Sequence, residues 1–451
     1  MLRRVLLAAS ASPRLRQLIT TAPATRAIVE HHDALRLRFA RNAAGRWSAS
    51  FGPIAASTPF TLVDLSSYHA SEQDARLRQS ASEAAAGFDL STGPLVRVVL
   101  FRFGTGTPGR LLFIVHHLAV DGVSWRVLLE DFRTVCDQIS RGESAALPAK
   151  TTSYRTWVEQ LRNHASLVAD ERPYWLAPDR RTVEPIPADR PFAAGANTVG
   201  SAREITRVLD VAATSALLHE APRAYTTEIN DLLLTALAQT FAEWMGRDHL
   251  LVDVEGHGRE DFLDEVDTSR TVGWFTSQFP VLLRVDPRAP LGDAVKSVKE
   301  QLRAVPRRGA GFGVLRYLSN DGETVAALRA LPAAGVLFNY LGQGGQASDT
   351  GWSLMPGLPG LDVSPRAVRP HLIEINGIIL DGRLTLAWTF SEAVHTQATI
   401  DALASRYVDA LRLLIDHCRT AATRQFTPSD FPEARIDQKS LDALIAKLSP
   451  S

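Results

Sequence analysis

Apolar and polar positions follow patterns that change along the chain. The runs VRVVLFRF (96–103) and RLLFIVHH (110–117) are rich in β-branched and aromatic residues, and the GTGTPG between them predicts a hairpin of two buried strands. Directly afterwards Trp125, Leu128, Leu129, Phe132, Val135 and Ile139 recur at helical spacing, with Ser124 placed to cap the first turn. His116 and His117 therefore stand where a buried strand hands over to a helix. Earlier, RVLLAA (4–9) predicts a short strand, and 13–32 predicts a helix that Pro23 is expected to kink or split.

Residues 176–200 carry proline, glycine and alanine without periodicity, which predicts a linker between one lobe over 1–175 and another over 201–451. Beyond it, TTEINDLLLTALAQTFAEWMG (226–246) predicts a long buried helix with threonine caps and a stop at Gly246. HLLVDVEGHGRE (249–260) predicts a strand that delivers Glu255 into a glycine-bracketed loop, repeating the arrangement around the histidines. GVLFNYLGQ (335–343) is a further buried strand, and LIEINGIILDGRLTLAWTF (372–390) reads as a two-residue Asp-Gly hairpin. Both lobes are expected to be α/β layers. No solenoid or propeller period appears, and GAGFG (309–313) lacks the strand context of a nucleotide fingerprint.

Composition narrows the function classes. A chain of 451 residues exceeds what one core usually organises, which agrees with two lobes. Lys+Arg and Asp+Glu both number 49, so net charge gives no reason to expect nucleic acid or an anionic membrane as partner. Cys136 and Cys418 are the only cysteines and neither has metal-ligand spacing, which argues against a zinc site or disulfide framework and suits a cytoplasmic protein; no metal site is expected. The start is rich in arginine and free of acid over 1–29, but arginine dominates the cations everywhere, so this is not distinctive as a transit signal.

Neighbouring strand residues face opposite ways, so if one histidine packs inward the other points to whatever the loop borders. His116 suits the packed role, and His117 the proton carrier, since imidazole titrates near ~6.5. Asp121 has two readings, orienting that histidine or bracing the loop through an arginine such as Arg259; Gly122, which suggests a backbone bend, favours the brace. Glu255 is either an ordinary surface acid or a shielded acid or base at a strand tip. Trp274 and Phe275 are either core or the wall for an apolar arm.

Taken together, HHLAVDG (116–122) resembles the signature of the condensation-like superfamily of nonribosomal peptide synthetases. SWRVLLEDF (124–132), EGHGRE (255–260), TVGWFTSQFPV (271–281) and FNYLGQ (338–343) resemble motifs of its epimerization domains, and the likeness runs from about residue 28 to the C-terminus. The resemblance implies a pseudo-dimer of two chloramphenicol-acetyltransferase-like lobes arranged as a V with a central tunnel. It implies that His117 and Glu255 face each other there as catalytic groups, helped by Tyr340. His116, Asp121, Gly122, Arg259 and Asn339 would support them, and Ser124, Trp125, Trp274 and Phe275 would line the substrate tunnel. It implies epimerization, L to D, of the α-carbon of an aminoacyl or peptidyl thioester, without a bound cofactor. The substrate would ride on the phosphopantetheine arm of a carrier protein supplied in trans or by a neighbouring synthetase chain, and the protein is expected to be a monomer. The T-P-x-Q-x-W-type opening of family members is missing ahead of RVLLAA, so an atypical or truncated start to the first lobe is expected. Two rivals share part of the pattern: an amide-forming condensation domain, against which Glu255 argues, and a non-catalytic carrier-binding remnant.

Overall fold

The computed structural model describes residues 2–9, 16–55, 57–104, 106–193, 195–259, 263, 266–344, 352–355, 364–421, 424–434 and 436–448. In chain order the strands are β1 (Leu2–Ala9), β2 (Leu37–Arg41), β3 (Trp47–Phe51), β4 (Phe60–Asp64), β5 (Val96–Arg102), β6 (Arg110–His116), β7 (Ala202–Leu209), β8 (His249–Gly256), β9 (Ser277–Arg284), β10 (Val336–Gln343), β11 (Trp352–Met355), β12 (Ile373–Leu380) and β13 (Arg383–Ser391). They belong to two compact units. The first comprises Met1–Asn163, His257–Thr276 and Gly345–Ser364; the second comprises His164–Gly256, Ser277–Gly344 and Pro365–Ser451.

The first unit holds an open sheet in the order β11-β1-β6-β5-β4, antiparallel except for the β4/β5 pair, and a separate β2-β3 hairpin. Val96, Val98 and Leu100 of β5 with Leu111, Phe113 and Val115 of β6 share a core with the helices Arg16–His31 and Gly122–Ser140. Val99, Phe101, Leu112 and Ile114 share another with the helix Ala70–Ala86. Burial on both faces explains why these strands read as unbroken apolar runs rather than alternating ones.

Three local expectations are corrected here. The helix Arg16–His31 continues through Pro23. Pro23 lies on the exposed side while Ala24, Ile28 and Val29 are buried opposite it, so the missing hydrogen bond opens toward solvent and burial offsets a proline cost of about 3 kcal/mol. Ser124 is not the cap of the following helix: Asp121 is, accepting from the Ser124 amide at 2.7 Å. Gly122 makes no bend, because it is the first helical residue and its φ is not left-handed.

The second unit holds the open sheet β7-β13-β12-β10-β8-β9, with β10 parallel to β8 and β12. One face is apolar. Trp388 of β13 stacks at 6.3 Å and 5° on Phe241 of the helix Ile229–Met245, and lies 5.7 Å from Tyr407 of the helix Gln397–Thr420. Pleat alternation turns Asp253, Glu255, Asn339, Glu374 and Asn376 to the other face. The helix over 229–245 is capped by Glu228 and Asp231 rather than by a threonine, and ends at left-handed Gly246. At the β12/β13 hairpin Asp381 and Gly382 have φ of 48° and 73°, the pair of positive values a two-residue turn requires.

Residues 176–200 belong to the second unit, whose division from the first falls at Asn163/His164. The stretch is irregular yet fastened: Arg180 Nη1 donates to the Pro280 carbonyl at 3.1 Å, and Asn197 Nδ2 donates to the carbonyls of Arg369 and His371 at 3.0 and 2.8 Å. Its aperiodic composition reflects packed coil held by side-chain hydrogen bonds.

Candidate active-site groups

The chain leaves β6 through His116 into a single 3-10 turn, His117–Ala119. His116 Nδ1 accepts from the Leu118 amide at 3.3 Å, and burial holds its pKa down to about 4, so it is a neutral structural ring near neutrality. His117 Nδ1 lies 2.8 Å from the Val120 carbonyl. A carbonyl only accepts, so Nδ1 carries the proton, and the neutral ring has its lone pair on Nε2. The His117 ring lies 4.9 Å from that of Trp274, tilted by 37°.

Asp121 ties the loop to the segment that returns at 257–276. Arg259 Nη2 donates to both Asp121 oxygens at 3.2 Å and to Ser124 Oγ at 3.1 Å, and the Phe275 amide donates to Asp121 Oδ2 at 3.2 Å. Arg259 Nη1 reaches the carbonyls of Thr268 and Thr271 at 2.6 and 2.9 Å, and its guanidinium carbon sits 3.9 Å above the Phe275 ring. Burial lowers the Arg259 pKa and Asp121 opposes that shift, as expected for a cation taken out of water beside its counterion. A second tie lies farther along the same helix: Asp131 pairs with Arg270 and with His32 Nε2, the latter at 2.9 Å. His31, His32 and Asp131 stand close enough for metal ligation, but the Arg270 guanidinium on the same carboxylate makes this a buried ion network.

Of the four expected tunnel residues, Trp274 alone is exposed, at 39%. Ser124 and Phe275 are buried and shape the loop from beneath, and half-buried Trp125 packs on the first unit's core. The sequence reading missed Tyr154 and Gly273. Tyr154 donates its hydroxyl to the Trp274 carbonyl at 2.9 Å, burial raises its pKa to about 12, and a Cβ on Gly273 would lie 2.4 Å from the Tyr154 ring. A glycine directly before an exposed tryptophan was the available signal for that close approach.

In the second unit Glu255 sits one residue from the end of β8. Asn339 Nδ2 of β10 donates to Glu255 Oε2 at 2.6 Å. Tyr340 follows Asn339 and turns to the opposite face, its ring beside Gly377, where an added Cβ would lie 3.6 Å from Tyr340 Cδ2. Burial raises the Tyr340 pKa, keeping the phenol protonated. The structure thus joins Glu255 to Asn339 and separates Tyr340 from that pair.

The Condensation domain model matches residues 18–436. The chain belongs to the condensation-domain family. Linear gramicidin synthase subunits C and B of Brevibacillus parabrevis are 43% and 44% identical to this condensation-family chain, each over 93% of it. The chain spans 6% and 8% of the length of those two relatives. The crystal structure of the epimerization domain from the third module of tyrocidine synthetase B is 33% identical, with a TM-score of 0.84 over 94% of this chain and 93% of that one. The α/β architecture, with its two open sheets, is the condensation-domain fold. Among the described residues no helix is long and apolar enough to cross a membrane.

Proposed function

We propose that this condensation-family chain is an epimerase that converts the L to the D configuration at the α-carbon of an aminoacyl or peptidyl residue. The residue is presented as a thioester on the phosphopantetheine arm of a carrier protein in nonribosomal peptide synthesis. The observation that carries the reading is the Glu255–Asn339 pair: a carboxylate at a strand tip held at 2.6 Å by a neutral amide, which positions it without neutralising it. The 33% identity to an epimerization domain supports the same choice within the family.

A thioester acidifies its α-proton because the resulting carbanion delocalises into the carbonyl, so the reaction needs a base, an acid and no cofactor. Glu255 takes or returns the α-proton. His117, with Nδ1 fixed by Val120, offers Nε2 for the complementary proton or for the enolate oxygen. Each positioned acid or base contributes roughly 10²–10⁴-fold. Tyr340, turned away from Asn339, is assigned no proton step. The carrier is the partner, supplied by another chain or another part of a synthetase.

The test loads a carrier with an L-aminoacyl or peptidyl thioester in D₂O and follows α-deuterium together with the D:L ratio. Deuterium uptake with formation of the D residue is expected, falling at least ~100-fold in Glu255→Gln and His117→Ala. Amide formation between two loaded carriers without α-exchange would make the chain a condensation catalyst. Carrier binding without either reaction would make it a docking remnant.

A further inference from the structure

The first unit holds a cavity of about 160 Å³ where the helix Arg16–His31 ends and β4 and β5 begin, far above the ~15 Å³ that admits one water. Arg36, Arg38, Ser57, Thr58 and Thr92 form most of its polar lining, and Ile54, Pro59 and Pro94 part of its apolar lining. Its one acid among the described residues is Glu30, which Arg26 pairs at 2.8 Å.

The arginines differ in what they have left to donate. Arg36 is engaged by the fold: Nη1 donates to the carbonyls of Val29 and Glu30, the latter at 2.9 Å, and Nη2 donates to Asp33 at 2.6 Å. Asp33 is shared with Lys150 at 2.9 Å, so the two carboxylates bonded into this cluster, Glu30 and Asp33, stand against four cations, Arg26, Arg36, Arg38 and Lys150. Arg38 is half-buried and makes no hydrogen bond or ion pair among the described residues. Gly52 gives it room, since a Cβ there would lie 2.3 Å from Arg38 Nε and 2.7 Å from Cζ. The φ of Gly52 is not left-handed, so its backbone does not require glycine; the guanidinium lying over it does. A rigid fork of donors without an acceptor, beside hydroxyls and surplus positive charge, matches an oxyanion that accepts several hydrogen bonds at once.

We infer that this cavity is a phosphoryl-binding site anchored by Arg38. It lies within the first unit and contains none of the groups assigned to proton transfer, so it is independent of the epimerase reading. Free phosphate and the phosphodiester of a carrier's phosphopantetheine arm share this chemistry, and two titrations of the full chain separate them. The first uses inorganic phosphate against chloride at constant ionic strength; the second compares a carrier with and without its arm. Saturable phosphate binding is expected, about 10–100-fold weaker in Arg38→Gln, the loss of charge-assisted hydrogen bonds. Arg38→Lys keeps the charge without the fork and falls between. Gly52→Ala keeps every cation but displaces the guanidinium, and weakens binding as well. Because Arg38 makes no described hydrogen bond, the urea midpoint of Arg38→Gln stays close to that of the parent. If inorganic phosphate does not bind but the arm tightens carrier binding in the parent and not in Arg38→Gln, the phosphoryl group is the arm's. Phosphate binding that is equally strong in Arg38→Gln, or no effect of Arg38→Gln in either titration, overturns the inference.

Discussion

His117 and Glu255 each close a buried strand, yet the neighbours that hold them differ in kind. Around the His117 loop, charged side chains do the fastening: Asp121 with Arg259, and Asp131 with Arg270. Around Glu255 the fastening comes from sheet register and from the uncharged amide of Asn339. A loop has no ladder to fix it, so buried ion pairs substitute for one. A carboxylate on a regular strand already has its position from the ladder, and the Asn339 amide fastens Glu255 further with a neutral donor.

The most damaging way to break this contrast is Asp121→Asn. It keeps a cap of similar shape but leaves Arg259, 7% exposed, without its counterion, at a cost of about 3–5 kcal/mol in urea unfolding. Asn339→Ala in the other unit deletes one charge-assisted hydrogen bond, a cost of about 1.5–3 kcal/mol. A smaller loss for Asp121→Asn than for Asn339→Ala would refute the claim that charge fastens the first site and register the second.

Much of this was legible locally. The apolar runs located β5, β6, β8, β10 and the β12/β13 hairpin because strand burial and a two-residue turn leave marks within a few residues. Cap assignment over 121–124 was harder, since Asp121 and Ser124 are both cap-forming types and the 3-10 turn before them sets where the helix begins. Asp121 and Arg259, 138 residues apart, could be offered as partners only because each had an evident need for the other's charge. The cross-strand row of Gln278 on β9, Glu255 on β8, Asn339 on β10 and Asn376 on β12 had no such signal, because its register depends on four strands meeting from distant parts of the chain. For the same reason the separation of Tyr340 from Asn339 appears only once the pleat is known.

Acid sharpens the comparison between the units, since each buries a histidine. The His116 pKa is lowered to about 4, chiefly by burial, and that of His395 is also lowered by burial, with neither of its ring nitrogens hydrogen-bonded. Unfolded imidazoles take protons near ~6.5, so below that pH the unfolded chain binds protons that the folded chain does not. The stability present above about pH 6.5 is therefore lost as pH falls toward about 4. Urea midpoints between pH 7 and 4 are expected to fall less steeply in His116→Asn and in His395→Phe, and least in the double variant. An unchanged slope in the double variant would place the acid sensitivity in other groups.

The smallest expected effect concerns Gly122. It is the first residue of its helix, its φ is one that L residues adopt, and an added Cβ would meet nothing within 4 Å. Gly122→Ala is therefore expected to leave the fold intact and to stabilise it by about 0.4–1 kcal/mol, because alanine restricts the unfolded chain. No group of the protein requires the missing methyl, so any requirement must come from what occupies the space during turnover. If α-deuterium exchange falls while the urea midpoint rises, the open space above Gly122 belongs to the substrate's path past the His117 loop. If exchange and stability both hold, the glycine serves neither, and the His117 loop owes its form to the Asp121–Arg259 brace.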